Sequence, residues 1–361
     1  MFRRIACCLL TLGASCAGPA RQRDVPAEPV RTLGKSSSEL APATAQAPVP
    51  LRSHKRRLGV MGTELTLEAL HSDAQRLEQA IDAAITEIQR VEDLMTDWRP
   101  SPLMELNAQA GMGPVAVDPE LVRLIDRSLK ISELTGGAFD ITYASVGKLW
   151  DFKRVPPVIP SQEQIHAAVN LIGYKKLRVD VDAATVDLPQ GMRLGLGGIA
   201  KGYGVDRAMS VLLKHGIEHA SINAGGDLKV LGLEHGEAWR VSIRHPRNAE
   251  QVIALVPMSN SCLLTSGDYE RFFMHEGRRY HHIIDPRSGM PSSGCISSTV
   301  RAPDAAFADA LATALCVLQA AQGIQLVESL PGVDAILVDM DGQVHMTSGL
   351  SGERRVVPDK Q

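Results

Sequence analysis

W-R-V-S-I-R-H-P-R-N, Trp239 to Asn248, decides the fold class. Trp239, Val241 and Ile243 alternate with polar residues, the period of a strand with one buried face, and the Pro and Asn that follow end the run in a turn. Short alternating runs of this kind, separated by Gly, Pro and Asn, recur from Ser221 to Tyr280 and predict hairpins of an antiparallel sheet. Toward the N-terminus, Leu65, Leu67 and Ala69 alternate after a Met61-Gly62-Thr63 turn. Leu77, Ile81, Ile85, Ile88 and Val91 then recur at helical spacing to about Met95. Asp118-Pro119 supplies an N-cap and a first-turn proline for a second helix, which turns Leu121, Leu124 and Ile125 inward and stops at Gly136-Gly137. Ser161 and Gln164 have the spacing of a capping box for a third. Strands and helices mix without strict β-α-β alternation, so the expected class is α+β, with mixed or antiparallel sheets and packed helices.

The ends read differently. Phe2-Arg3-Arg4 followed by apolar Ile5 to Leu12 has the pattern of an export signal, too short to cross a bilayer as a stable helix. Gly13-Ala14-Ser15 leads to Cys16, as in a lipoprotein signal whose cysteine is acylated. Gly13 stands where leucine is usual, so cleavage near Ala17 is the other reading. We therefore expect a signal over residues 1–16 and a Pro/Ala/Ser/Arg-rich tether over 17–57, ending in Lys55-Arg56-Arg57, which suits an anionic membrane surface or a plain linker. A catalytic body over 58–350 and a tail over 351–361 complete the division, with the body on the periplasmic side of a bacterial membrane. Three of the six cysteines fall in the signal. Cys262, Cys295 and Cys316 match no zinc or thioredoxin spacing and allow at most one disulfide. A net charge of -3 argues against nucleic-acid binding.

Three segments carry chemistry. In Y-H-H-I-I-D-P-R-S-G-M-P, Tyr280 to Pro291, two imidazoles, a carboxylate and a guanidinium gather round one turn. Ile283-Ile284 read as a strand end, Asp285-Pro286 starts the turn and Gly289 is free to take a positive φ. The cluster suits phosphate chemistry; a surface turn with incidental histidines is the plain alternative. In L-G-L-G-G-I-A-K-G-Y-G-V-D, Leu194 to Asp206, a strand-like approach meets glycines and then a helix from about Ile199, a junction whose amides suit an anion. Gly195, Gly197 and Ala200 fit G-x-G-x-x-A, with Glu218 at a ribose-contact distance, although the segment lies mid-chain. Lys201 follows alanine with no Ser or Thr after it, which excludes a Walker loop. A tight turn that lets a helix pack is the plain reading. Finally, the apolar stretch Asp304 to Leu318 predicts a helix with Asp309 and Thr313 one turn apart on one face. A carboxylate buried there needs a partner, either a hard cation such as Mg²⁺ or an arginine.

Together M-G-T, A-F-D-I-T, G-G-I-A-K-G-Y, I-N-A-G-G-D, S-G-D-Y-E-R, H-I-I-D-P-R-S-G and D-A-L-A-T-A, in this order from Met61 to about Gly349, resemble the ApbE family of FAD:protein FMN transferases. The resemblance implies an ApbE-like flavin transferase fold and FAD contacts at Met61, Trp98, Ala138, Phe139, Asp140, Lys201 and Ile283. It implies Mg²⁺ ligands at Asp309 and Thr313, with the carbonyl near Gly198 as a third. Gly195 stands where the family commonly has Asp, so that side-chain contact to FAD is missing. The implied reaction is phosphoryl transfer: a Thr or Ser hydroxyl of an acceptor protein attacks the phosphorus on the FMN side of FAD, and AMP leaves. His282 is the candidate to take the proton, because an imidazole titrates near neutral pH, whereas His281 falls on the other side of a continuing strand. Acceptors of the family carry a motif resembling D-x-x-[ST]-G-A-[ST]. Two other readings stay open: an FAD pyrophosphatase in which water attacks, and a lipoprotein that stores FAD. A nicotinamide oxidoreductase built on Gly195 to Ala200 ranks behind both.

Overall fold

Met61 and Gly62, both at positive φ (53° and 71°), close a two-residue hairpin between strands Arg52–Val60 and Thr63–His71. Two left-handed residues are what the primed hairpin turns need, and glycine meets that need at no steric cost. The computed structural model of this chain describes residues 50–248 and 250–353. The expected signal, its Cys16, most of the tether and most of the tail lie outside them. The tether was expected to run to residue 57, but Arg52 to Arg57 are strand. Lys55 pairs with Glu68 at 3.1 Å and Arg56 with Glu78 at 2.6 Å, so the basic run covers a sheet edge.

Among the described residues an eight-stranded sheet runs in the order Arg52–Val60, Thr63–His71, His219–Ala224, Asp227–Leu231, Ser261–Gly267, Cys295–Ala302, Asp334–Asp339 and Val344–Met346. Every neighbouring pair is antiparallel, as the α+β expectation requires. Helices Ala74–Met95, Ala200–Lys214 and Ala305–Val317 share one core with this sheet, through residues such as Leu65, Ile88, Val205 and Leu311. A second core joins Trp239, Ile243 and Val256, from the Trp239–Arg244 and Val252–Met258 hairpin, to Leu263 and Ile336. Helices Pro119–Leu134 and Gln162–Val169 begin at the expected caps: Asp118 accepts from Glu120 N at 2.7 Å, and Ser161 and Gln164 form the capping box.

Close helix contact positions the chemistry. A Cβ added to Gly202 would lie 2.2 Å from Ala305 O, so only glycine allows helix Ala200–Lys214 to approach helix Ala305–Val317 this closely. The second helix is buried on nearly all sides, and its alanines make that approach possible. Gly202→Ala should gain about 1 kcal/mol of helix propensity and lose more, because the clash is with backbone and overpacking costs roughly 1–3 kcal/mol. We expect a lowered thermal midpoint for this variant; an unchanged or raised midpoint in a calorimetric scan would show that the helices can move apart freely.

Candidate active site

Helix Ala200–Lys214 starts without a side-chain cap of its own. Its early amide at Gly202 donates instead to Asp309 Oδ2, 3.0 Å away on the neighbouring helix, so a carboxylate answers the free N–H groups and positive end of the helix. Asp309 is 2% exposed. Its other oxygen faces Lys201 Nζ at 3.4 Å, and Lys201 makes a closer ion pair with Asp227, also buried. Burial opposes charge on Lys201, yet the two carboxylates outweigh it and hold the lysine above its ordinary pKa. Asp227 is pushed up by burial and by Asp309, against the pull of Lys201. With all three ionised the cluster carries one surplus negative charge, an expensive state in the interior unless a further cation or a proton joins it.

Thr313 lies one turn beyond Asp309, as its spacing predicted. Its Oγ1 is 3.4 Å from Ser266 Oγ and would be 3.0 Å from a Cβ on Gly198; the same Cβ would be 3.4 Å from the Phe139 ring. Thr313 and the Gly198 backbone thus lie together, one helical turn from Asp309, and these are hard oxygen donors of the kind Mg²⁺ takes while keeping waters and phosphate oxygens. Among the described residues no group of three His, Cys, Asp or Glu is placed to hold a metal.

Met61 packs its sulfur on helix Ala200–Lys214, where a Cβ on Gly204 would be 3.0 Å from Sδ. A Cβ on Gly62 would lie 3.5 Å from Arg271 Nη2 and 3.9 Å from Trp98 Cη2. Trp98 is 59% exposed and lines a cavity of about 470 Å³ with Asp97, Arg99, Pro100, Ser101, Met104, Glu105 and Ala108. Ala138 and Phe139 are buried. Asp140 is turned inward: Oδ1 accepts from Thr142 N and Oγ1 at 2.8 and 2.7 Å, and Oδ2 accepts from Tyr174 N at 2.9 Å. Its carboxylate shapes the loop. Gly195 is buried and its N–H donates to Ile141 O at 2.8 Å.

The histidine segment departs from expectation in two ways. Strand Arg278–His281 ends before Ile283 and Ile284, which are buried just past it and tied back by Ser292 N to Ile283 O and an Ile284 to Pro291 bridge. Asp285 and Arg287 pair with each other at 2.8 Å and hold the turn, while Gly289 takes φ 70° as expected. His282 does not titrate near neutrality. Burial, then Arg271, His281 and Lys201, push it down to about 4. Its Nδ1 is buried without a hydrogen-bond partner among the described residues, and its backbone N–H donates to Arg271 O at 3.0 Å. His281 Nε2 lies 2.9 Å from the Ser292 carbonyl, which only accepts, so that nitrogen carries the proton and the ring is structural.

Asp227, Ser266 and Arg271 went unread as site residues although they sit in the I-N-A-G-G-D and S-G-D-Y-E-R motifs; the partners that give them meaning lie on other elements. The ApbE family profile matches residues 61–337. The chain belongs to the ApbE family. A Treponema pallidum protein named FAD:protein FMN transferase is 35% identical over 326 residues, 85% of this chain and 90% of that one. A Klebsiella pneumoniae protein of the same name is 32% identical over 293 residues, 80% of this chain and 90% of its own length. The crystal structure of an ApbE protein from Thermotoga maritima superposes with a TM-score of 0.77 at 32% identity, covering 84% of this chain and all of that one. Flavin transferase ApbE from Vibrio cholerae gives 0.74 at 27% identity over the same share of this chain and all of its own.

The depressed His282 links stability to pH in this ApbE protein. Between the unfolded value near 6.5 and the folded value near 4, the unfolded chain binds a proton that the folded chain refuses, so stability falls as pH drops through that window. Denaturant unfolding at stepped pH should show this decline, with a shallower slope in His282→Gln; equal slopes would contradict the burial described.

Proposed function

We infer that this chain transfers the FMN half of FAD to a Thr or Ser hydroxyl of an acceptor protein. The observation that carries the reading is the Lys201, Asp227 and Asp309 cluster beside Thr313 and Gly198, set within a chain of the ApbE family. The acceptor oxygen forms a bond to the phosphorus on the FMN side, the bond from that phosphorus to the bridging oxygen breaks, and AMP leaves with the bridging oxygen. Asp309, Thr313 and the Gly198 carbonyl would hold Mg²⁺, which would supply charge neutralisation to the phosphates. Lys201 adds a second positive charge and keeps the carboxylates in place. Trp98, largely exposed, offers the stacking surface that a flavin or adenine ring needs, and the family resemblance adds Met61, Ala138, Phe139 and Ile283 as apolar contacts.

His282 is the group to receive the acceptor's proton. Its low pKa keeps the imidazole neutral across the physiological range, ready to accept, although a weak base; an arriving diphosphate, being anionic, offsets Arg271 and Lys201 and raises that basicity. Trp98 is largely open to solvent, so water is the competing nucleophile, and hydrolysis to FMN and AMP is the side reaction of the same site. We further assign the acceptor a segment resembling D-x-x-[ST]-G-A-[ST], and the chain a place outside the cytoplasm with a lipid anchor at Cys16; the mass of the mature N-terminal peptide tests the anchor.

The test is to incubate the protein with FAD, Mg²⁺ and a domain bearing the acceptor motif, then read flavin fluorescence on the denatured acceptor. Asp309→Asn keeps an oxygen for the Gly202 amide, so the fold should survive while labelling slows by about 10²- to 10³-fold, the scale seen when one transition-state charge partner is removed. AMP release without labelling would make the hydrolase the main activity. Full labelling by Asp309→Asn would refute the site.

A further inference from the structure

Gly195 lacks the aspartate expected of its position, and its surroundings account for the difference. The φ of Gly195 lies outside the left-handed region, so the backbone there would tolerate a side chain. Space is what excludes one. A Cβ on Gly195 would be 2.9 Å from Ala144 Cβ, 3.3 Å from Tyr143 Cε1 and 3.4 Å from Tyr143 Oη. A Cβ on Gly197 would be 3.6 Å from the same hydroxyl. The Tyr143 ring also packs on Gly147, where a Cβ would be 3.1 Å from Cε2, so the ring itself is anchored.

The hydroxyl, by contrast, makes no hydrogen bond to any described residue, and Tyr143 is only partly buried. Burial, with Asp97 adding to it and Arg271 opposing it, pushes the phenol up to about 12, so it stays protonated and able to donate. Asp97 adjoins Trp98, and Arg271 reaches the Met61-Gly62 turn. The hydroxyl therefore sits against the glycine loop, beside Gly195 and Gly197.

We propose that Tyr143 is an FAD-binding residue of this chain that takes over the place of the missing aspartate, its ring filling the space at Gly195 and its hydroxyl donating a hydrogen bond to the dinucleotide. This inference rests on the flavin reading given above. The exchange changes the chemistry at that point: a carboxylate only accepts and adds a negative charge beside a diphosphate, whereas a neutral phenol donates and adds none.

The experiment is FAD titration of the full chain in the presence of Mg²⁺, followed by flavin fluorescence. Tyr143→Phe keeps the ring and removes the donor. It should bind FAD about 5- to 10-fold more weakly, the span of one net hydrogen bond, with an unchanged unfolding midpoint. Gly195→Asp alone should bind FAD poorly, and the triple variant Tyr143→Val, Ala144→Gly, Gly195→Asp should recover most of that loss. Equal FAD affinity in Tyr143→Phe, or undiminished affinity in Gly195→Asp alone, overturns the role of Tyr143 and leaves the flavin reading standing. A wild-type chain that does not bind FAD overturns the flavin reading and this inference with it.

Discussion

One hydrogen bond, from the Gly202 amide to the Asp309 carboxylate, joins the two halves of the chemistry. It caps the helix that carries Lys201, fixes the carboxylate that faces that lysine, and can form only because Gly202 has no side chain to meet Ala305. The apolar length of helix Ala305–Val317 gives this contact its strength, since a helix buried on nearly all sides has one orientation available to it. Asp309 is therefore at once a structural cap and an acid of the site. The remaining groups are arranged around it: Asp227 from the central sheet balances Lys201, and Thr313 is delivered by the next turn of the same helix.

Much of the architecture was readable locally. The spacing of Leu77, Ile81, Ile88 and Val91, the Asp118-Pro119 start and the Ser161 to Gln164 capping box each state their own structure within a few residues, and each is found in place. Strand Arg52–Val60 was not readable, because its outward face is charged and its partners, Glu68 and Glu78, lie on other elements. A run of basic residues has no periodicity to announce a strand; the pairing supplies it. Ile283 and Ile284 illustrate the reverse error: two β-branched residues look like a strand end, yet they serve as buried anchors for a turn.

The site divides along the same line. Asp309 with Thr313 is a local pattern on one helix, so spacing alone placed both side chains on one face. Asp227 acquires meaning from Lys201 and Arg271 from His282, each pair on different elements, and no spacing announces such partners. His282 was chosen for the ordinary titration of an imidazole, a property of the free side chain; its lowered pKa is set by burial and by cations that only the folded chain assembles. Asp140 likewise keeps its position in the motif while its oxygens are used up inside the loop. What the sequence could convey was which residue types gather; the folded chain determines which atoms of each remain free.

The distribution of the three tryptophans has an optical consequence. Trp150 and Trp239 are buried, at 6% and 5% exposure, with their indole N–H groups bound to the carbonyls of Gly289 and Leu231. Trp98 alone of the three faces water, and it does so at the rim of the candidate cleft. Red-shifted indole emission from this chain should therefore come from one residue, which makes that part of the spectrum a reporter on the cleft without any added label.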